Sequence, residues 1–103
     1  MNAMRAVRNE KGGTSLDNTV FITKCKEIVR DYIRGNFPQL EPLAFTDIYV
    51  VWVSKALQNN KAMLATNLRD GLYFEVTYNG DKHEAYVDVY LKQKNFVIPE
   101  TAM

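Results

Sequence analysis

The sequence predicts an α+β domain in which one N-terminal helix packs on one face of a four-stranded antiparallel β-meander. Apolar residues between Phe21 and Ile33 recur at the spacing of a helix. After Asp47 the pattern changes to alternating β-branched and aromatic residues, interrupted by turn-forming dipeptides. A chain of 103 residues has room for one such domain.

The predicted helix follows a stretch that has no sustained apolar period. We expect residues 1–14 to form a flexible leader, residues 15–99 to form the domain and residues 100–103 to fray. Helix-capping residues precede the helix, Gly35 and Asn36 suit its end, and Pro38 prevents its continuation. The candidate caps are Thr14, Ser15, Asp17 and Asn18, and the apolar stripe is Phe21, Ile22, Cys25, Ile28, Val29, Tyr32 and Ile33.

Four strand signals follow the helix. The first two are 47–57 and 61–66, and Asn59-Asn60 is a plausible two-residue turn between them because asparagine tolerates positive φ. The last two, 72–78 and 83–91, flank Asn79-Gly80, which is the strongest hairpin signal in the chain. We expect the apolar residues of the segment 95–103 to dock on the domain before the chain frays.

The last hairpin separates into two faces because side chains alternate along a strand. One face is apolar and is expected to pack against the helix; it holds Leu72, Phe74, Val76 and Tyr78 with Ala85, Val87, Val89 and Leu91. A two-residue loop at Asn79-Gly80 would place Glu75 opposite Glu84, which repels it. A four-residue loop through Lys82 would place Glu75 opposite Tyr86, and charge favours this second register.

The opposite face, here called the outer face, carries several aromatic residues, which are unusual on a face that only contacts water. The first strand is apolar on both sides, and uninterrupted alternation places Trp52 with Ile48 and Val50. Such a strand is usually covered on both faces, which one helix cannot do. We therefore expect an interface that makes a homo-oligomer, a dimer as the first guess, and binds a protein partner through Trp52, Tyr73, Glu75, Tyr86, Asp88 and Tyr90. Cross-strand aromatic packing on a solvated face remains the alternative.

Several chemistries are disfavoured by composition. The formal net charge of +1 gives no general reason to expect nucleic acid. Cys25 and His83 are the only cysteine and histidine, so they cannot supply a structural zinc site. No apolar run approaches the roughly 18–20 residues of a membrane span. We expect a cytoplasmic, non-enzymatic protein with no cofactor, metal or catalytic residue and no membrane partner.

Two alternative functions stay open. A nucleic-acid or nucleotide binder would use the helix line Lys26, Arg30 and Arg34 with Lys55 and Lys61. The acids Glu27 and Asp31, interleaved in that line, argue against it. A small hydrolytic enzyme would use Glu75, Asp88 and His83, although solvated strand acids are far commoner than catalytic pairs.

Three segments carry a family resemblance: YVVWVSKALQNNKAMLAT (Tyr49–Thr66), DGLYFEVTYNGDKHEAYVDVY (Asp70–Tyr90) and KCKEIVRDYI (Lys24–Ile33). Over about residues 18–97 the chain resembles a small uncharacterised family of phages and prophages of Gram-positive bacteria. The resemblance implies a location in the host cytoplasm and an accessory role that involves a host or phage protein. The family has no assigned activity, so the resemblance transfers no catalytic residues.

Overall fold

A computed structural model describes residues 6–8, 14–40, 42–68 and 71–103. It confirms the predicted fold class. The elements are β1 (Ala6–Arg8), β2 (Thr14–Leu16), α1 (Asn18–Asn36), β3 (Ile48–Ala56), β4 (Asn59–Thr66), β5 (Leu72–Asn79) and β6 (Glu84–Leu91), with short 3-10 turns at Pro38–Leu40, Phe45–Asp47 and Glu100–Ala102. β1 pairs with β2, and the main sheet has the antiparallel order β3-β4-β5-β6. Most of the predicted leader lies outside the described residues.

The predicted stripe of α1 forms the core. Asp17 caps the helix by accepting a hydrogen bond from the Thr19 backbone N–H at 2.8 Å. The fully buried side chains are Phe21, Cys25, Val29 and Ile33, which recur every four residues along the helix. Tyr32 packs edge-on against Phe74 of β5, with the ring centroids 5.5 Å apart. The helix thus covers the part of the inner face that β3, β4 and β5 form.

The predicted Asn59-Asn60 turn is wrong. The turn residues between β3 and β4 are Leu57 and Gln58, and both asparagines belong to β4. Leu57 adopts a φ of 54°, the left-handed conformation that the sequence interpretation assigned to asparagine. Asn60 is instead fully buried and bonds to both backbone groups of Leu16: it donates to the carbonyl at 2.9 Å and accepts from the N–H at 2.8 Å. Tertiary burial therefore decided where the turn lies.

The predicted faces of β3 are corrected by a β-bulge. The register with β4 shifts between Val50 and Trp52, so that Val51 has no partner in β4. A bulge of one residue reverses the alternation after it. Trp52 therefore lies on the outer face with Tyr49, and Val53 joins the inner face.

The β5–β6 register differs from both predicted registers. Asn79 pairs with Glu84, so the loop comprises residues 80–83 and Glu75 lies opposite Asp88. The Asn79 side chain stabilises the loop, because its Oδ1 accepts hydrogen bonds from the backbone N–H groups of Asp81 (2.9 Å) and Lys82 (3.2 Å). Carboxylates opposed across strands repel each other, but the Tyr90 hydroxyl and the Lys61 ammonium both bind Glu75 and offset its repulsion from Asp88.

The inner face of β6 lies beyond the helix, contrary to the prediction. Ala85, Val87, Val89 and Leu91 do share a face with the buried residues of β5, but all four are exposed. The helix makes most of its sheet contacts with β3 and β4, and Tyr32 reaches Phe74 of β5, so β6 lies beyond the strands that the helix covers. The expected docking of the C-terminal segment is not seen either: Phe96 and Val97 are 69% and 84% exposed. The uncovered apolar surface is therefore larger at this edge than the sequence suggested.

Candidate functional site

The six predicted interface residues all lie on the outer face of the sheet. Strand register places Tyr73 beside Tyr90, and Glu75 beside Asp88. Met63 of β4 lies between Glu75 and Trp52. The outer face therefore brings together Trp52, Tyr73, Glu75, Tyr86, Asp88 and Tyr90 across three of the four strands.

Glu75 is the polar centre of this face. Its carboxylate accepts a hydrogen bond from the Tyr90 hydroxyl at 2.9 Å and pairs with the Lys61 ammonium at 3.1 Å. The Tyr90 hydrogen bond, followed by the Lys61 interactions, lowers the pKa of Glu75 below its ordinary value. Donation to Glu75 likewise raises the pKa of Tyr90. The carboxylate thus links side chains from β4 and β6.

Tyr86 has a separate partner. Its hydroxyl donates to Glu84 two residues earlier on the same strand, and this bond raises the pKa of Tyr86. The ring remains 43% exposed. Trp52 and Tyr90 are 39% and 47% exposed, so the aromatic rings are neither covered by their own chain nor fully surrounded by water.

Tyr49 belongs to the same surface and was missed by sequence reasoning. It shares the outer face with Trp52 because of the bulge, and its ring is exposed. A cleft of about 560 Å³ opens where β3 and β5 begin and β4 ends, and its walls include Tyr49, Tyr73 and Lys92. No signal in the sequence pointed to this cleft, because its walls come from strands and loops that are distant in the chain.

The basic line predicted for nucleic acid is partly neutralised. Arg30 lies over the Phe45 ring, with its guanidinium carbon 4.7 Å from the centroid. Asp31 lies 3.8 Å from Arg30 and 4.0 Å from Arg34. Lys61 pairs with Glu75 on the sheet, far from the solvent side of the helix. These contacts give no continuous basic groove along the described residues.

The predicted hydrolytic trio is not assembled. His83 adopts a φ of 53° in the loop, and its Nδ1 lies 3.2 Å from the Tyr78 hydroxyl. Glu75 lies four residues before the Asn79–Glu84 pair, which is about 13 Å along a strand. The carboxylates and the imidazole therefore do not share a site. Among the described residues, no group of three His, Cys, Asp or Glu side chains is placed to hold a metal ion.

Cys25 lies in the core between helix and sheet. It is fully buried, and desolvation raises the pKa of its thiol to about 12. A nucleophilic cysteine needs exposure and a lowered pKa. Cys25 is therefore a packing residue.

The fold and this surface define a class of small α+β domain with an open antiparallel sheet and one covering helix. Within the described part of the chain, no helix has the length and apolar character needed to cross a membrane. The profile of a family of unknown function, DUF6275, matches residues 22–100, and the chain belongs to that family. Comparisons with curated proteins and with solved structures give no significant match.

Proposed function

We propose that this protein is a non-enzymatic interaction module that binds a protein partner through the outer face of its sheet. The observation that supports the proposal is the cluster of half-exposed aromatic rings Tyr49, Trp52, Tyr86 and Tyr90 on one face. Tyrosine and tryptophan are enriched at protein interfaces because each offers a large apolar ring and a polar tip. The resemblance to phage and prophage proteins suggests an accessory role in a host cytoplasm.

The partner is expected to be a protein with a protruding apolar side chain. The cleft beside Tyr49 and Tyr73 has the volume to receive such an anchor, and buried anchors carry most of the energy of an interface. Lys92 at its wall favours an acidic group near the anchor. On the same face, the Tyr90 hydroxyl is hydrogen-bonded to Glu75, so this ring loses little side-chain freedom on binding.

Site-specific photo-crosslinking in a host lysate tests the proposal. A photoreactive residue at Trp52 is expected to capture a partner, whereas the same residue at Asp31, exposed on the helix, is the matched control. The captured protein is then purified and titrated with the chain. Trp52→Lys is expected to weaken binding at least about tenfold, or roughly 1.4 kcal/mol. Equal capture at Asp31, or unchanged affinity of the Trp52 variant, would reject the outer face as the binding site.

The sequence predicted self-association through this outer face. The exposed inner face of β6 is a more apolar surface for self-association.

A further inference from the structure

The inner face of β6 is an apolar stripe that the described part of the chain does not cover. Val87 and Val89 are 38% and 37% exposed and Leu91 is 61% exposed. Their cross-strand neighbours on β5, Val76, Phe74 and Leu72, are buried. The stripe therefore continues the hydrophobic core to the open edge of the sheet.

The backbone of the same residues is directed to that edge. The Lys92 N–H donates to the Gly71 carbonyl at 2.7 Å, so Lys92 turns its backbone groups toward β5. In an antiparallel pair, alternate residues turn toward and away from the neighbouring strand. Val87, Val89 and Leu91 thus present their backbone N–H and C=O groups outward, on the side of β6 where the described sheet has no further strand. An apolar edge of this kind is a template for another strand.

A second apolar segment follows directly. Residues 92–99 form no helix or strand, and among the described residues no backbone hydrogen bond joins 93–99 to the body of the domain. Phe96, Val97 and Ile98 are more than half exposed. The segment 93–99, here called the arm, projects from the domain.

We propose that β6 and the arm form the contact with a second copy of this chain. Each copy has both an uncovered apolar stripe and an uncovered apolar arm, so a two-fold arrangement covers both sets at once. The two β6 strands pair antiparallel at their edges and Gln93 and Lys94 continue that pairing, while Phe96, Val97 and Ile98 of each arm turn back onto the stripe of the other copy. This surface differs from the outer face proposed for the protein partner.

Charge disfavours a register centred on Asp88 and is compatible with one centred on Val89. A two-fold axis at Asp88 would oppose two identical carboxylates. An axis at Val89 places Val87 opposite Leu91 of the second copy and Glu84 opposite Lys94 of the second copy. The outward backbone groups of Val89 then face each other, as an antiparallel pair requires.

The opposite edge of the sheet is less suited to pairing. β3 also ends the described sheet and carries the exposed residue Val53. Its register is broken by the bulge at Val51, and bulges at sheet edges disrupt strand addition. β6 pairs with β5 without a shift over its whole length. An unbroken, apolar edge thus lies on one side and a bulged edge on the other.

Cysteine crosslinking provides the test. In the proposed register the two Val89 Cα atoms lie about 5.5 Å apart, within the range of about 4.4–6.8 Å for a disulfide. Val89→Cys in the full chain is expected to form a disulfide-linked dimer under oxidised glutathione. Val53→Cys is the matched control, because Val53 is 40% exposed on the same face of the other edge strand. The buried Cys25 gives little background.

Sedimentation of uncrosslinked protein completes the test. The natural chain is expected to dimerise as its concentration rises, and a chain ending at Lys94 is expected to need at least tenfold more protein. Trp52→Lys is expected to leave dimerisation intact, which separates this proposal from the outer-face proposal. A monomer at all concentrations, equal crosslinking of the two cysteine variants, or no effect of removing the arm would overturn it.

Discussion

Replacement of Asn60 by alanine is expected to be among the most destabilising polar substitutions in this domain. The Asn60 amide is fully buried in β4 and satisfies both backbone groups of Leu16, forty-four residues away in the chain. Leu16 directly precedes Asp17, the residue that caps α1. The side chain therefore fixes the start of the helix to the sheet.

The size of the effect follows from the two bonds. Alanine leaves a buried N–H and a buried C=O of Leu16 without this partner, at about 1–3 kcal/mol each. We expect a total loss of about 3 kcal/mol. With a urea dependence of about 1.5 kcal/mol/M for a domain of this size, the unfolding midpoint falls by roughly 2 M. Such a loss is a large part of the total stability of a small domain.

The neighbouring Asn59 is a matched control. It is the same residue type on the same strand, but its side chain is exposed. Asn59→Ala is expected to change stability by less than about 0.5 kcal/mol. The assay is urea denaturation of both variants followed by circular dichroism. If Asn60→Ala and Asn59→Ala were equally mild, the buried amide would not anchor the helix, and the reasoning would be refuted.

Three further predictions concern single residues. Leu57→Asn is expected to raise the unfolding free energy by about 0.5–1 kcal/mol, because asparagine tolerates the positive φ of this exposed position. Thermal melts measure this gain. Leu57→Ala, which keeps the backbone strain, should show no gain in those melts. Cys25 is expected to react with a thiol reagent only through unfolding, since its pKa is raised to about 12, and fast labelling of the native protein would contradict its burial. Because the pKa of Glu75 is lowered in the folded state, its ionised carboxylate stabilises the fold above the ordinary carboxyl pKa, and this stabilisation is lost as pH falls. Tyr90→Phe removes the main cause of the shift, so it should narrow the difference in unfolding free energy between neutral and acid pH. Tyr86→Phe is the control, because the Tyr86 hydroxyl bonds to Glu84 and not to Glu75. An equal narrowing of the stability difference in this variant would refute the assignment to Tyr90.

The turn segment after β3 shows where sequence reasoning reached its limit. Its amides suggested a tight hairpin turn, but the residues serve distant contacts. Gln58 donates to Asp81 in the next loop, Asn60 binds Leu16 and Lys61 pairs with Glu75. Local propensity is a weak signal for such residues, because their partners are separated by many residues in the chain.

The sequence predicted which residues of the last hairpin lie on the outer face, but it did not predict how the residues of that face are arranged. Alternation alone assigned Tyr73, Glu75 and Tyr86 to one side of the last hairpin, and the structure places them there. The bulge at Val51, which brings Tyr49 beside Trp52, has no signature in a run of β-branched and aromatic residues. A shift of one residue reverses the face of every later side chain, so small errors of register change the whole surface.

The sequence by itself determined the helix, the four strands and the apolar stripe of α1, because the helical and extended periods are local properties of the chain. Only the tertiary structure decided the strand registers and the reach of the helix. Those depend on long-range packing, and one helix is too narrow for a four-stranded sheet: Val87 and Val89 have the pattern of core residues but lie beyond its edge. The physical reason is that a sequence states which side chains avoid water, whereas the three-dimensional arrangement decides which of them are covered.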